Sequence, residues 1–197
     1  MGKITCCGKT QCRKFFDDRR KYGSRFWEEL EKAHPYCECE RVSVSGYSPG
    51  PVDDDETLIS VVTSENYLTE DGRIEFTFFD QRISKGMSVD RKKYTSRHCY
   101  DLRAEKLIGA SPRKENCGSI ELEVKAIRKI NYKEIRAIAV YDTALRENKS
   151  HSEIVCAEVP PKGTDNRTKL RAELRKEILK AVLNDRRVLS SSDLFDH

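Results

Sequence analysis

Ile120-Glu121-Leu122-Glu123-Val124 is the stretch on which the fold turns: apolar and acidic residues alternate there without a break. A period of two sends one row toward a core and the other toward water, the signature of a half-buried strand. Ile135-Arg136-Ala137-Ile138-Ala139-Val140 repeats the pattern, and Glu153-Ile154-Val155-Cys156-Ala157 extends it. Upstream, Ile74, Phe76 and Phe78 alternate with Glu75 and Thr77, and Gly86-Met87-Ser88-Val89 adds a short strand. Val42 and Val44 read the same way. Leu58-Ile59-Ser60-Val61-Val62 follows the acidic run Asp53 to Glu56 and suits either a strand or a helix entered through acid at its N-terminus.

Helical spacing appears in three places. Ser24 is a good cap for a helix through Ala33, with apolar residues at 26, 27, 30 and 33. Tyr100 to Ile108 forms a second, ended by Gly109. From about Asp165 an amphipathic helix places Leu170, Leu174, Ile178, Ala181 and Val182 on one stripe. This order of elements predicts an α+β fold, with a mixed or antiparallel sheet covered by the C-terminal amphipathic helix, rather than regular βαβ alternation. The expected organisation is a cysteine-rich segment over 1–40 with its helix, an α+β domain over 41–188, and a flexible tail over 189–197.

The composition limits the function classes. The 197 residues hold 37 Lys or Arg against 33 Asp or Glu, a net charge of +4, with 37% hydrophobic and 36% charged residues. Such a chain builds a modest core inside a heavily charged surface. It contains no apolar run of about 18 residues and no apolar stretch in Met1 to Cys12 of the kind a secretion signal carries, so a soluble, cytoplasmic protein is expected. Met1-Gly2-Lys3-Ile4-Thr5-Cys6 misses the myristoylation pattern because Cys6 stands where Ser or Thr is required.

Five of eight cysteines fall in the first 39 residues. In a reducing compartment they are not a disulfide framework. Cys7-x4-Cys12 and Cys37-x-Cys39 form two chelating pairs suited to a tetrahedral zinc ion, although burial as small apolar side chains is the plainer alternative. Zinc is the cofactor expected on this reading, with Cys7, Cys12, Cys37 and Cys39 as ligands.

A basic stretch runs from Arg82 to His98. Arg82, Lys85, Arg91, Lys92, Lys93 and Arg97 are candidates to neutralise phosphates, with Tyr94 placed to stack on a base. A locally basic loop is also an ordinary solvated face. For catalysis, His151 and Glu153 stand two apart and so share one face of a strand, an arrangement that permits acid–base work. Walker, nucleophile-elbow, zinc-protease and dinucleotide motifs are all missing.

The motifs Asp55-Glu56-Thr57-Leu58, Asp71-Gly72-Arg73, Gly86-Met87-Ser88-Val89-Asp90-Arg91 and the Asn148 to Ile154 segment around His151 resemble those of small uncharacterised bacterial proteins. In that group a G-L-S-V-like turn precedes an H-[AS]-x-I segment. Here Met87 takes the place of Leu. The resemblance spans about 54–155 and implies that Gly86 to Arg91 and His151 belong to one domain and face one site. It carries no established activity.

Two functions fit these features. The first is a non-enzymatic binding or adaptor protein, stabilised by zinc, that meets nucleic acid or a protein partner through its basic face. The second is a small enzyme acting on a phosphate-bearing substrate with His151 and Glu153 as an acid–base pair. The first asks only for surface charge and chelation, so the sequence favours it.

Overall fold

Residues 16–22, 26, 29, 38–79, 86–109, 111–132, 135–156 and 165–196 are described by a computed structural model. The alternating stretches pair into a five-stranded sheet. Its strands are β1 (Thr57–Val61), β2 (Met87–Arg91), β3 (Ser119–Glu123), β6 (Ile138–Asp142) and β7 (His151–Cys156), while β4 (Asn131–Tyr132) and β5 (Ile135–Arg136) form a separate ribbon. The spatial order is β3-β1-β2-β7-β6, and every neighbouring pair is antiparallel. The fold is therefore α+β, as expected. The ambiguous run at Leu58 is the strand β1, where Leu58, Ile59 and Val61 are all buried.

Among the described residues the helices that accompany the sheet are α1 (Arg19–Tyr22), α2 (Arg97–Gly109), α3 (Val124–Arg128), α4 (Asp165–Lys180) and α5 (Ser191–Phe195). In α2 the Ser96 hydroxyl accepts a hydrogen bond from the Cys99 N–H at 3.3 Å, which satisfies one of the donors a helix start leaves open. The helix thus begins three residues before the expected Tyr100.

Alternation divides the buried residues between two faces. The inner face sets Leu58, Val62, Met87, Val89, Ile120, Leu122, Ile138, Val140 and Ile154 in the main core, together with Val124 and Ile127 of α3. Leu170, Leu174 and Ile178 of α4 enter the same core at four-residue spacing. The main neighbours of α4 are α3 and the turn Phe76–Phe79.

That turn corrects an expectation. Ile74 to Phe78 alternates in sequence, but Phe76–Phe79 is a 3-10 turn that buries Phe78 and Phe79 in succession and leaves Phe76 exposed. A strand cannot turn consecutive side chains to one side. The turn can, and Phe78 stacks edge-on against Phe79 at 5.2 Å and Tyr67 at 5.4 Å. Val42 and Val44 likewise form no strand; Val44 packs beside Phe26, Ala139 and Tyr141.

Both sheet edges are covered. At β3 the Leu183 N–H donates to Glu121 O at 2.9 Å, the Glu123 N–H to Ala181 O at 3.0 Å, and Ser119 and Leu189 exchange bonds of 2.9 and 2.7 Å. Gly118 permits this approach: at φ +100° it carries no Cβ, and one would stand 2.6 Å from Val188 Cγ1. At β6 the Glu40 carboxylate accepts the Val140 N–H at 2.6 Å. Such covers blunt an edge that otherwise invites another strand.

The C-terminal residues also depart from the expected flexible tail. Ser190 and Asp193 make a reciprocal cap for α5, and Leu194 is buried with Ile59, Val61, Tyr100 and Ala104. The tail lacks periodicity because it is too short to show any, yet one apolar residue in the right place is enough to dock it. Among the described residues no helix is long and apolar enough to cross a membrane.

Candidate active site on the outer face

The outer face is assembled from three parts. On the β3–β1 side, α2 and α5 cover Ile59 and Val61. On the β6–β7 side, Phe26, Val44, Phe16, Tyr22 and Val42 cover Ala139, Tyr141 and Val155. Between these apolar patches lie the outward residues of β2 and β7, which are Ser88, Asp90, His151 and Glu153. Register aligns Ser88 with Glu153 and Asp90 with His151.

Ser88 is exposed, whereas Asp90, His151 and Glu153 are buried at 2%, 8% and 3%. A buried carboxylate needs donors. Asp90 Oδ1 accepts from Asn148 Nδ2 at 2.9 Å and Ser150 Oγ at 3.1 Å, and it forms an ion pair with Arg103 of α2. These contacts tie the loop 143–150 and α2 to the floor of the site.

His151 is held from one side. Its Nδ1 lies 3.1 Å from the Thr143 carbonyl oxygen and 2.9 Å from Thr143 Oγ1. A carbonyl only accepts, so the proton resides on Nδ1 and the Nε2 lone pair is left available. That lone pair faces Ser88 Oγ at 3.3 Å. Burial lowers the pKa of His151 below its ordinary 6.5, the Arg103 charge adds to the lowering, and Glu153 opposes it. The imidazole is therefore neutral at neutral pH, the state in which Nε2 takes a proton.

The expected site residues fare differently. His151 and Glu153 share one face of β7, as their spacing predicted. Arg91 corrects the expectation of a phosphate contact at the surface. It is fully buried, its Nε and Nη2 donate to the two Glu56 carboxylate oxygens at 2.7 and 2.6 Å, and Nη1 and Nη2 donate to Gly50 O and Pro51 O at 2.6 and 2.9 Å. Burial alone would raise the Glu56 carboxyl pKa, but Arg91, the Asp53 N–H and Lys93 together hold it below the usual carboxylate value.

The neighbouring cations also have acidic partners. Lys92 pairs with Glu121 at 2.6 Å, Lys93 with Glu56 at 3.1 Å and Asp53 at 3.4 Å, and Arg97 with Asp196 at 2.9 Å. Sequence adjacency gathered these residues into one basic stretch. The fold spreads them over acids distant in sequence, so the local charge is largely compensated. Arg82, Lys85, Cys7, Cys12 and Cys37 lie outside the described residues; Cys39 lies in the turn Glu38–Arg41. Among the described residues no group of three or more His, Cys, Asp or Glu is arranged to hold a metal ion.

The resemblance placed Ser88 and Asp90 with His151 only as members of the stretch Gly86 to Arg91, without singling either out, and sequence reasoning missed Arg103 and Thr143 as parts of this site. Ser88 and Asp90 carried a signal, since their period of two in β2 matches that of His151 and Glu153 in β7. Arg103 and Thr143 carried none, because only packing brings them to the histidine. No family model, curated protein or solved structure matches the chain, so the resemblance over 54–155 rests on its short motifs alone.

Proposed function

We propose that the chain is a small enzyme acting on a phosphate-bearing substrate, with His151 as the proton carrier. One observation carries this: a neutral, buried imidazole is fixed through Nδ1 and presents Nε2 to an exposed hydroxyl. Glu153 steadies the imidazolium formed when Nε2 takes a proton, and Arg103 supplies positive charge beside the site. The phosphate class rests on Arg103, which pairs with Asp90 at the floor of the site and brings positive charge beside His151.

The test is turnover of p-nitrophenyl phosphate and bis(p-nitrophenyl) phosphate by the whole chain. His151→Ala is expected to lower kcat roughly 10²–10⁴-fold, the usual contribution of a positioned acid–base group. The rate of the parent should fall as pH drops through a value below 6.5, where Nε2 protonates. Turnover that survives His151→Ala discards the reading.

The binding function is a second reading, favoured by one feature. Lys93 and Tyr94 are exposed side by side on the turn Lys92–Tyr94, with Lys93 Nζ 5.1 Å from the Tyr94 ring centre. A cation beside an exposed ring suits a single-stranded base and its phosphate. On this reading oligonucleotide binding weakens with salt and weakens further in a Lys92, Lys93, Arg97 triple alanine variant; a log–log salt slope near zero excludes it. Zinc bound by Cys7, Cys12, Cys37 and Cys39 accompanies it, with the chain in a reducing cytoplasm. Elemental analysis should then find roughly one equivalent of zinc, lost on changing Cys37 and Cys39 to Ser.

A further inference from the structure

We infer that Ser88 is the nucleophile of this site and forms a covalent phosphoseryl intermediate. The inference rests on the enzyme reading above and adds to it the group that attacks. Ser88 is exposed on β2 between Met87 and Val89, which are buried in the main core. Its backbone is thus fixed by packing on the far side of the sheet, while its hydroxyl stands at the surface.

The hydroxyl is paired with its base by strand register. Ser88 lies opposite Glu153, and His151 lies opposite Asp90, so Ser88 and His151 are diagonal neighbours on one face. Ser88 Oγ donates to His151 Nε2 at 3.3 Å, and Nδ1 donates to the Thr143 carbonyl at 3.1 Å. A nucleophile, a base, and a third group that orients the base are the parts that activate a serine, whichever chain order supplies them. The third group here is a backbone carbonyl. It fixes the tautomer without placing a full negative charge on the ring.

In the first step Ser88 Oγ bonds to the phosphorus of a phosphate ester as the bond from phosphorus to the leaving oxygen breaks. The hydroxyl proton passes to His151 Nε2 and from there to the leaving oxygen, which departs as an alcohol. Water then attacks the phosphoserine and gives its proton to Nε2. The bond from phosphorus to Oγ breaks, Oγ recovers the proton, and phosphate leaves. Each turn of the cycle consumes one ester and one water and releases one alcohol and one phosphate.

Diisopropyl fluorophosphate, an organophosphorus reagent that phosphorylates activated serines, tests this in the full chain. Peptide mass spectrometry is expected to find a single diisopropylphosphoryl group on the peptide bearing Ser88, formed about 10²-fold more slowly in His151→Ala. Ser88→Ala should lose turnover of the two nitrophenyl phosphates while keeping the parent's unfolding midpoint, since the side chain is exposed. Ser88→Ala that turns over within threefold of the parent, or a reagent that leaves Ser88 unlabelled, overturns the covalent step. If His151→Ala alone abolishes turnover, the acid–base reading survives without it. If the parent turns over neither ester, both readings fall.

Discussion

On the inner side of the β2–β7 pair, Met87, Val89 and Ile154 lie in the apolar core, whereas the outer side of the same strands carries Ser88, Asp90, His151 and Glu153. Both sides also hold buried charge, and they treat it in opposite ways. At the inner end of β2 the Arg91 guanidinium makes four hydrogen bonds, two to Glu56 and two to backbone carbonyls, with the Tyr94 ring 4.5 Å away. Its hydrogen-bonding capacity is nearly spent. On the outer side Asp90 and Thr143 fix their neighbours, but His151 keeps one nitrogen directed at an exposed hydroxyl. A closed polar cluster supports structure and a cluster with one reactive atom turned outward supports chemistry, although both use the same residue types within three positions of one strand.

The sharpest way to break the comparison is to remove Arg91. Arg91→Met strips the buried Glu56 of its bidentate partner, leaving Lys93 and the Asp53 N–H, and should cost about 3–5 kcal/mol, read as a lower denaturant midpoint. A loss below 1 kcal/mol means that Glu56 is not held as described. On the outer side, Asp90→Ala deprives Arg103, Asn148 and Ser150 of a shared acceptor, and a cost of about 1–3 kcal/mol is expected. The smaller figure reflects Arg103, which keeps partial access to water where Arg91 has none.

Acidification separates the two sides differently. His151 takes up a proton less readily folded than unfolded, so its contribution to stability is present above pH 6.5 and is lost as pH falls toward its lowered folded value. Glu56, whose carboxyl is held below its ordinary value, loses its contribution only in the carboxylate range. Unfolding measured between pH 7 and 5 should therefore slope in the parent and flatten in His151→Gln, with the Glu56 effect appearing at lower pH. A parent with no slope in that window contradicts the burial of a neutral imidazole.

The smallest effect is expected at Arg97, six residues beyond Arg91. Its pair with Asp196 is half exposed, and Arg97→Ala should change stability by at most about 1 kcal/mol. A cost comparable with that of Arg91→Met means that α5 depends on this pair and not on Leu194.

How much of this was legible beforehand varies residue by residue. The strand at 120 was readable because alternation is local, and so was the stripe Leu170, Leu174, Ile178; the run Ile135 to Val140, read as one strand, divides between β5 in the ribbon and β6 in the main sheet. Ile74 to Phe78 misled because an alternating run of aromatics is equally compatible with a turn, and the choice fell to Tyr67 and Phe78 stacking together. For the site, the spacing of His151 and Glu153 identified their common face. It could not identify Ser88 as the facing group, since strands β2 and β7 are separated in sequence by β3 to β6.

By itself the sequence determined the α+β class, the apolar row of β3, and the shared orientation of His151 and Glu153, because all of these follow from periods of two and 3.6 along a continuous chain. Tertiary structure alone decided that Arg91 is a buried partner of Glu56 rather than a surface cation, and that Nε2 of His151 meets Ser88. Both outcomes depend on strand order and register. Those are set by which apolar rows bury one another across distant segments, and no local pattern specifies that pairing.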